Sequence, residues 1–268
     1  MTDEDSAGRP MDDVWDIPVI NSQAHERLGY PTQKPELLLE RVINASSNEG
    51  DIVLDPFCGC GTSISVAQRY KRQWIGIDIT HLSINLIKQR LKDAFNLESK
   101  KDYLVIGEPE DLAGARELAS QNRYQFQWWA LALVNARPYG DKVKGSDTGI
   151  DGYIYFSDEE NKYQRAIVQV KSGGVSVKDI RDLGHVIERE KSEIGILITL
   201  ESATKPMIKE AFQKGYYKAD TIKGNYPKLQ ILTIEDLFAG EKPQIPAMIS
   251  HTKKAPAVYQ TPTEELEY

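Results

Sequence analysis

Asp51-Ile-Val-Leu-Asp-Pro-Phe-Cys-Gly-Cys-Gly-Thr62 is the stretch that sets the fold class of this chain. A short apolar run ends in an acid, Asp55, then passes through a Gly-x-Gly turn, Gly59 and Gly61, into a helix start at Thr62. An α/β sheet offers a ligand site in this way, at the carboxyl end of a strand. A second apolar run, Trp74-Ile-Gly-Ile-Asp-Ile79, ends in another acid, Asp78. The two acids are expected side by side at the tops of neighbouring strands. That arrangement suits a ligand with a cationic or amino end and a ribose diol. It does not suit a bare triphosphate, because no Gly-Lys-Ser/Thr follows the glycines.

Working outward, Thr32 reads as a helix N-cap with Pro35 in the first turn. Leu38, Val42 and Ala45 recur at helical spacing behind it, and Gly50-Asp51 ends the helix. Thr62 opens a second helix to about Tyr70. A third starts near His81, with Ile84, Ile87, Leu91 and Phe95 on one face. The result is a β-α-β-α unit with a right-handed crossover.

Asp55-Pro-Phe-Cys-Gly-Cys-Gly-Thr62 resembles the S-adenosylmethionine (SAM) motif of amino-group DNA methyltransferases, and Trp74-Ile-Gly-Ile-Asp78 resembles their ribose-binding motif. Tyr30-Pro-Thr-Gln-Lys-Pro-Glu-Leu-Leu-Leu-Glu40 is similar to the Thr-Gln-Lys-Pro helix that packs over the methionine end of the cofactor. With this helix ahead of the glycine loop, the order is similar to the permuted β class, over roughly residues 12 to 95. The resemblance implies a partial Rossmann-like SAM-dependent unit. Asp55 and the Phe57–Gly61 backbone, Gly59 and Gly61 included, would face the amino-acid part of SAM, with Thr62 beside them. Asp78 would take the ribose hydroxyls, since a carboxylate accepts two hydrogen bonds. Thr32 and Lys34 would touch the methionine carboxylate or shape its pocket. The implied reaction is methyl transfer to an exocyclic amino group of adenine or cytosine in double-stranded DNA, with the base flipped out of the stack. One departure is large. The family's catalytic Asp/Asn/Ser-Pro-Pro-Tyr/Phe tetrapeptide is absent from the sequence. The chain therefore looks like a cofactor-binding rear half, whether as fragment, split subunit or decayed copy. It would need an upstream segment or subunit carrying Asp-Pro-Pro-Tyr and target recognition.

The 268 residues are 40% hydrophobic and 27% charged, the balance of a soluble globular protein of one large or two ordinary domains. No apolar run approaches the ~20 residues of a membrane span and no signal segment opens the chain, so a cytoplasmic location is expected. Net charge is −7. Asp3, Glu4, Asp5, Asp12, Asp13 and Asp16 against Arg9 place five of those charges in the first twenty residues. A nearly balanced remainder does not oppose DNA binding. The two cysteines, Cys58 and Cys60, are too few for a closed zinc site and too close for a disulfide, so they read as small turn residues.

The second half has its own pattern. A helix is expected over Arg123–Asn135, with Trp128 and Trp129 in packing roles. Strands are expected over Ile150–Phe156 and Arg165–Lys171 as a hairpin. A helix from Ser176 to Arg189, strand Ile194–Thr199, a helix from Lys205 to Lys214 and strand Leu229–Leu232 follow, leading into Thr233–Phe238. A short strand Tyr103–Ile106 is possible. Gln169 and Lys171 alternate with Val170 and so share one face, and the hairpin can bring Asp151 beside them. An acid, a second oxygen ligand and a lysine at a sheet edge suit Mg²⁺-dependent phosphodiester hydrolysis. Gly145-Ser-Asp-Thr-Gly-Ile-Asp-Gly152 with Val168-Gln-Val-Lys171 resembles the PD-(D/E)xK core of Mrr-like restriction endonucleases. The resemblance implies Asp151 as metal ligand, Gln169 at the second acid position as a neutral ligand, Lys171 as catalytic lysine and Asp147 as the earlier signature acid. A glutamate expected on the preceding helix is matched by Gln127, with Glu117 less well placed. His25, His81, His185 and His251 are scattered and take no role.

The expected organisation is an acidic leader at 1–20, a SAM-binding part at 21–96, a linker at 97–112, a nuclease-like α/β domain at 113–240 and a flexible tail at 241–268. The expected activity is part of a restriction–modification methyltransferase with an appended Mg²⁺-dependent endonuclease. Two alternatives stay open: a SAM-responsive nuclease with a non-catalytic methyltransferase remnant, and a non-enzymatic DNA-binding protein.

Overall fold

A computed structural model describes residues 14–21, 24, 26–30, 32–139, 148–159, 162–219 and 224–246. Asp147, His25 and His251 lie outside these residues, as do most of the expected leader and tail. The chain divides into two units, Met1–Ile77 and Asp78–Tyr268. Sequence reading set the boundary later, in a linker at 97–112.

The first unit is built on two parallel strands, β1 (Ile52–Asp55) and β2 (Gln73–Gly76), in register with Leu54 opposite Ile75. Helices α1 (Glu36–Ser46) and α2 (Thr62–Arg69) cover one face. There Val53 and Trp74 pack against Ile43, Val66 and Ala67. Arg69 of α2 is clamped between Glu36 and Glu40 of α1. Side chains alternate along a strand. Ile52, Leu54 and Ile75 therefore point to the other face, where each is half exposed or more. The first helix begins later than the sequence suggests, because Pro35 holds the cap position in extended geometry and Thr32 is no cap. A residue ahead of proline is pushed out of the helical region, and Lys34 is that residue.

The second unit opens with α3 (His81–Phe95), α4 (Leu112–Gln121) and α5 (Arg123–Leu133). Its sheet comprises β3 (Arg137–Pro138), β4 (Gly152–Glu159), β5 (Lys162–Lys171), β6 (Ile194–Thr199) and β9 (Leu229–Thr233), in that spatial order. β3, β4 and β5 run antiparallel to their neighbours, whereas β5, β6 and β9 are parallel. Helices α6 (Val177–Arg189) and α7 (Lys205–Gln213) provide the crossovers, strands β7 (Tyr216–Lys218) and β8 (Asn225–Pro227) form a small hairpin, and α8 (Ile234–Phe238) closes the unit.

Strand alternation sorts this sheet into two cores. Ala166, Val168, Ile196 and Ile198 pack with Phe126, Trp129 and Ala130 of α5 on one face. Ile167 and Leu197 pack with Ile180 and Leu183 of α6 and Met207 of α7 on the other. β6 is buried on both faces along its whole length, which is why Ile194-Gly-Ile-Leu-Ile-Thr199 reads as an unbroken apolar run. The expected strand at Tyr103–Ile106 reduces to one bridge between Ser99 and Tyr103, with Leu104 and Ile106 exposed. Among the described residues no helix is long and apolar enough to cross a membrane.

Candidate functional site

The glycine turn is a short, tightly bonded loop. Asp55 closes β1, and its Oδ1 accepts from the Phe57 amide at 3.0 Å while Oδ2 accepts from Ser63 Oγ at 2.5 Å. The acid thus ties the strand end to the first turn of α2. The Cys58 amide donates to the Ile77 carbonyl at 3.0 Å, and the Gly61 amide to the Cys58 carbonyl at 2.7 Å. Gly59 and Gly61 have φ of +50° and +72°, left-handed geometry that strains any side-chain-bearing residue. Cys58 and Cys60 are buried in this turn, with Cys60 Sγ 3.8 Å from Thr62 Oγ1.

The segment ahead of α1 folds onto this loop. Thr62 Oγ1 donates to the Lys34 carbonyl at 3.3 Å. Gln33 braces the approach, accepting from the Leu28 amide at 2.8 Å and donating to the Glu26 carbonyl at 2.5 Å. Between segment and loop lies a cavity of about 160 Å³, whose lining includes Thr32, Lys34, Asp55, Phe57, Gly59 and Thr62. Six of the eight residues named for the cofactor thus meet at one place. Gly61 shapes the turn behind it. Sequence reasoning missed Tyr30 and Ser63 in the lining. The only available signal was their position next to motif residues.

The donor set fits the amino-acid end of SAM. Lys34 offers a cation for a carboxylate. Asp55 has spent one lone pair on each oxygen and keeps others for an ammonium group. Ligand pockets for whole drug-sized molecules run to roughly 300–1,000 Å³, so this cavity fits one end of such a ligand. Asp78 is the first residue of the second unit, and its Oδ1 accepts from both Thr80 N and Thr80 Oγ1 at 2.9 Å. Thr80 in turn caps α3 by accepting from Ser83 N. Asp78 therefore has a helix-start role of its own, which ends the extended run expected through Ile79.

The second constellation is closed. Asp151 directly precedes β4. Its Oδ1 accepts from Gln127 Nε2 of α5 at 2.5 Å and its Oδ2 from the Val170 amide of β5 at 2.7 Å. Lys171 Nζ lies 3.5 Å from Asp179 Oδ1, an ion pair that takes the lysine to the start of α6. Asp179 also accepts from Ser176 N and Oγ in a capping box. Burial alone would raise the Asp179 carboxyl, but the Ser176 and Lys171 donors outweigh it and hold it below the usual range. Gln169 is buried, and its Oε1 has no hydrogen-bond partner among the described residues. Gly149 lies alongside, with Gln169 Nε2 3.7 Å from where its Cβ would be. Glu117 instead accepts from Gln121 Nε2 within α4.

These residues do not fit a hydrolytic Mg²⁺ ion. Mg²⁺ takes six oxygens, usually carboxylates, phosphates and waters, in strict octahedral geometry. Here a single carboxylate, Asp151, stands beside a neutral amide at the second acid position, Gln169, and the lysine pairs with Asp179. Among the described residues no group of three or more His, Cys, Asp or Glu could hold a metal. Burial lowers the pKa of His81, and its Nδ1 is buried with no hydrogen-bond partner among the described residues.

Two family models match the chain. Residues 2–89 match the family described as DNA methylase. Residues 125–238 match the family described as NACHT-associated inactive Restriction Endonuclease 1. The chain is 46% identical over 100 residues to the Type II methyltransferase M.HpaI of Haemophilus parainfluenzae, covering 37% of this chain and 32% of that protein. It is 46% identical over 88 residues to the DNA adenine methyltransferase YhdJ of Escherichia coli (strain K12), covering 33% and 30%. It is 43% identical over 102 residues to the Type II methyltransferase M.BamHI of Bacillus amyloliquefaciens, covering 37% and 22%. The chain thus spans about a third of the length of the first of these relatives. The matched part of the chain is similar to DNA methyltransferases, several of them Type II enzymes.

Proposed function

We propose that this chain supplies the SAM-binding portion of a DNA amino-methyltransferase of a restriction–modification system. The observation that carries the reading is the cavity between the Tyr30–Lys34 segment and the Asp55–Thr62 loop, which gathers a cation, an acid and a glycine turn in one place. SAM would supply an electrophilic methyl group. This chain's residues would hold the amino-acid end, with Lys34 toward the carboxylate and Asp55 toward the ammonium, and Asp78 would take the ribose hydroxyls.

Methyl transfer requires a group to hold the target amino nitrogen, and the tetrapeptide that does this in the family is absent from these 268 residues. A partner segment carrying Asp-Pro-Pro-Tyr would complete the enzyme on double-stranded DNA. Ile52, Leu54 and Ile75 are half exposed or more on one face of β1 and β2, and this supports such a partner, because parallel strands are normally covered on both faces. The test is methylation of duplex DNA by the full chain, alone and with a polypeptide bearing that tetrapeptide. The reading expects SAM binding without transfer alone and transfer with the partner. Failure of a well-folded, SAM-bound pair to methylate any duplex sinks the split-enzyme idea.

For the second unit, the engaged Asp151 favours a non-cleaving reading: a nuclease-like fold that binds duplex DNA with a silent site. Supercoiled plasmid incubated with Mg²⁺, with and without SAM, should be retarded on a gel and left uncut by wild type and Lys171→Ala alike. Cutting by wild type that the variant loses would restore the Mg²⁺-dependent endonuclease. Dependence of that cutting on SAM would favour a SAM-responsive nuclease.

A further inference from the structure

Tyr30 opens the Tyr30–Glu40 motif stretch, where sequence reading assigns it no role, and it lines the candidate cofactor cavity. Its ring stands on the glycine turn, with Cε1 3.2 Å from the position a Cβ on Gly59 would occupy. The backbone that carries the ring is held in a turn, where the Tyr30 carbonyl accepts from the Gln33 amide at 3.2 Å. No side chain on Gly59 separates it from the loop.

The charges of the cavity leave a task for that ring. SAM differs from its product, S-adenosylhomocysteine, by a methyl group and one positive charge on sulfur. Lys34 repels such a cation. Asp55, the one carboxylate in the lining among the described residues, is the group assigned above to the ammonium of the same ligand. An alkyl-substituted cation is weakly hydrated, and an aromatic face attracts it without a formal counter-charge. Phe57 also lines the cavity but is 87% exposed, whereas Tyr30 is half-buried against the loop.

We infer that Tyr30 is a specificity-determining residue of this cavity, whose aromatic ring favours the sulfonium of SAM over the neutral thioether of S-adenosylhomocysteine. The inference rests on the cofactor reading above. It would let the product leave once the charge is spent.

The test is calorimetric titration of the full chain with SAM and with S-adenosylhomocysteine, for wild type, Tyr30→Phe, Tyr30→Leu and Tyr30→Met, with circular dichroism as a check of folding. Cation–π attraction of about 1 kcal/mol or somewhat more corresponds to roughly five- to tenfold in affinity. Tyr30→Leu and Tyr30→Met should weaken SAM by about that factor and S-adenosylhomocysteine by less than about twofold, while Tyr30→Phe keeps the wild-type ratio. Met fills the ring's volume if Leu disturbs the loop. Equal weakening of both ligands overturns the inference and leaves Tyr30 as packing for Gly59. Wild type that binds neither ligand overturns the cofactor reading itself.

Discussion

The side-chain amide of Gln127 donates to Oδ1 of Asp151 at 2.5 Å, joining α5 to the start of β4. The Val170 amide occupies the other oxygen. An acid that sequence reading assigns to metal chemistry thus pins a helix to two strands. Two donors do for this carboxylate what a cation would otherwise do.

A pin and a metal ligand respond oppositely to removal. Acids clustered for a cation repel one another without it, so deleting one stabilises the metal-free protein. Asp151→Ala should instead destabilise this chain by about 1–3 kcal/mol, because the Val170 and Gln127 donors lose their acceptor. Thermal unfolding with EDTA and with Mg²⁺ checks it, and the two conditions should give the same loss. A variant more stable than wild type in EDTA would return Asp151 to metal binding.

Gln169 carries a buried acceptor with no donor among the described residues. Replacing such a group by an apolar side chain of similar length is neutral or favourable. Gln169→Met should hold or raise stability, by up to about 1 kcal/mol, measured by urea unfolding. A loss of more than about 2 kcal/mol would mean the amide makes bonds that this arrangement does not contain.

Asp179 gives the second unit a defined acid response. Its carboxyl is held below its ordinary value, so its contribution is fully present above the unfolded pKa of about 3.9 and fades as pH falls through the lower folded value. Asp179→Asn should be less stable than wild type by about 1 kcal/mol at neutral pH, through the weakened cap of α6 and the lost partner of Lys171. The gap should narrow below about pH 4. A gap that is constant from pH 7 to pH 3 contradicts the assignment.

Gly59→Ala should disturb the cofactor loop more than the fold. Left-handed geometry costs an alanine about 1–2 kcal/mol, and the new Cβ would press on the Tyr30 ring at 3.2 Å. SAM affinity should fall by at least about tenfold with the second unit's thermal transition unchanged. Unaltered affinity would show that the loop does not hold the ligand.

Local pattern made much of this fold legible. The run Asp51–Thr62 announced a strand, a left-handed turn and a helix, because each step has its own residue chemistry. The apolar Ile194–Thr199 announced a doubly buried strand. Less legible was α4, although Asp111 caps it by accepting from Gly114 N at 2.7 Å. The polar surroundings of Asp111 look like linker, and only Leu112, Ala115 and Leu118 mark a buried stripe. The start of α1 was misplaced because Thr32 resembles a cap, whereas Pro35 controls the backbone. For the sites, motif spacing brought out Asp55 and Lys34. It could not reveal that the Tyr30 ring rests on Gly59, nor the Gln127–Asp151 bond, which joins residues 24 positions apart.

The proposed SAM site in the first unit can be measured by equilibrium dialysis of radiolabelled SAM against the full chain, with Gly59→Ala alongside. Wild type should bind about one equivalent and the variant markedly less, with no label passing to added duplex DNA. Absence of binding by a folded wild-type chain at millimolar SAM, or equal binding by the variant, would contradict the proposed site.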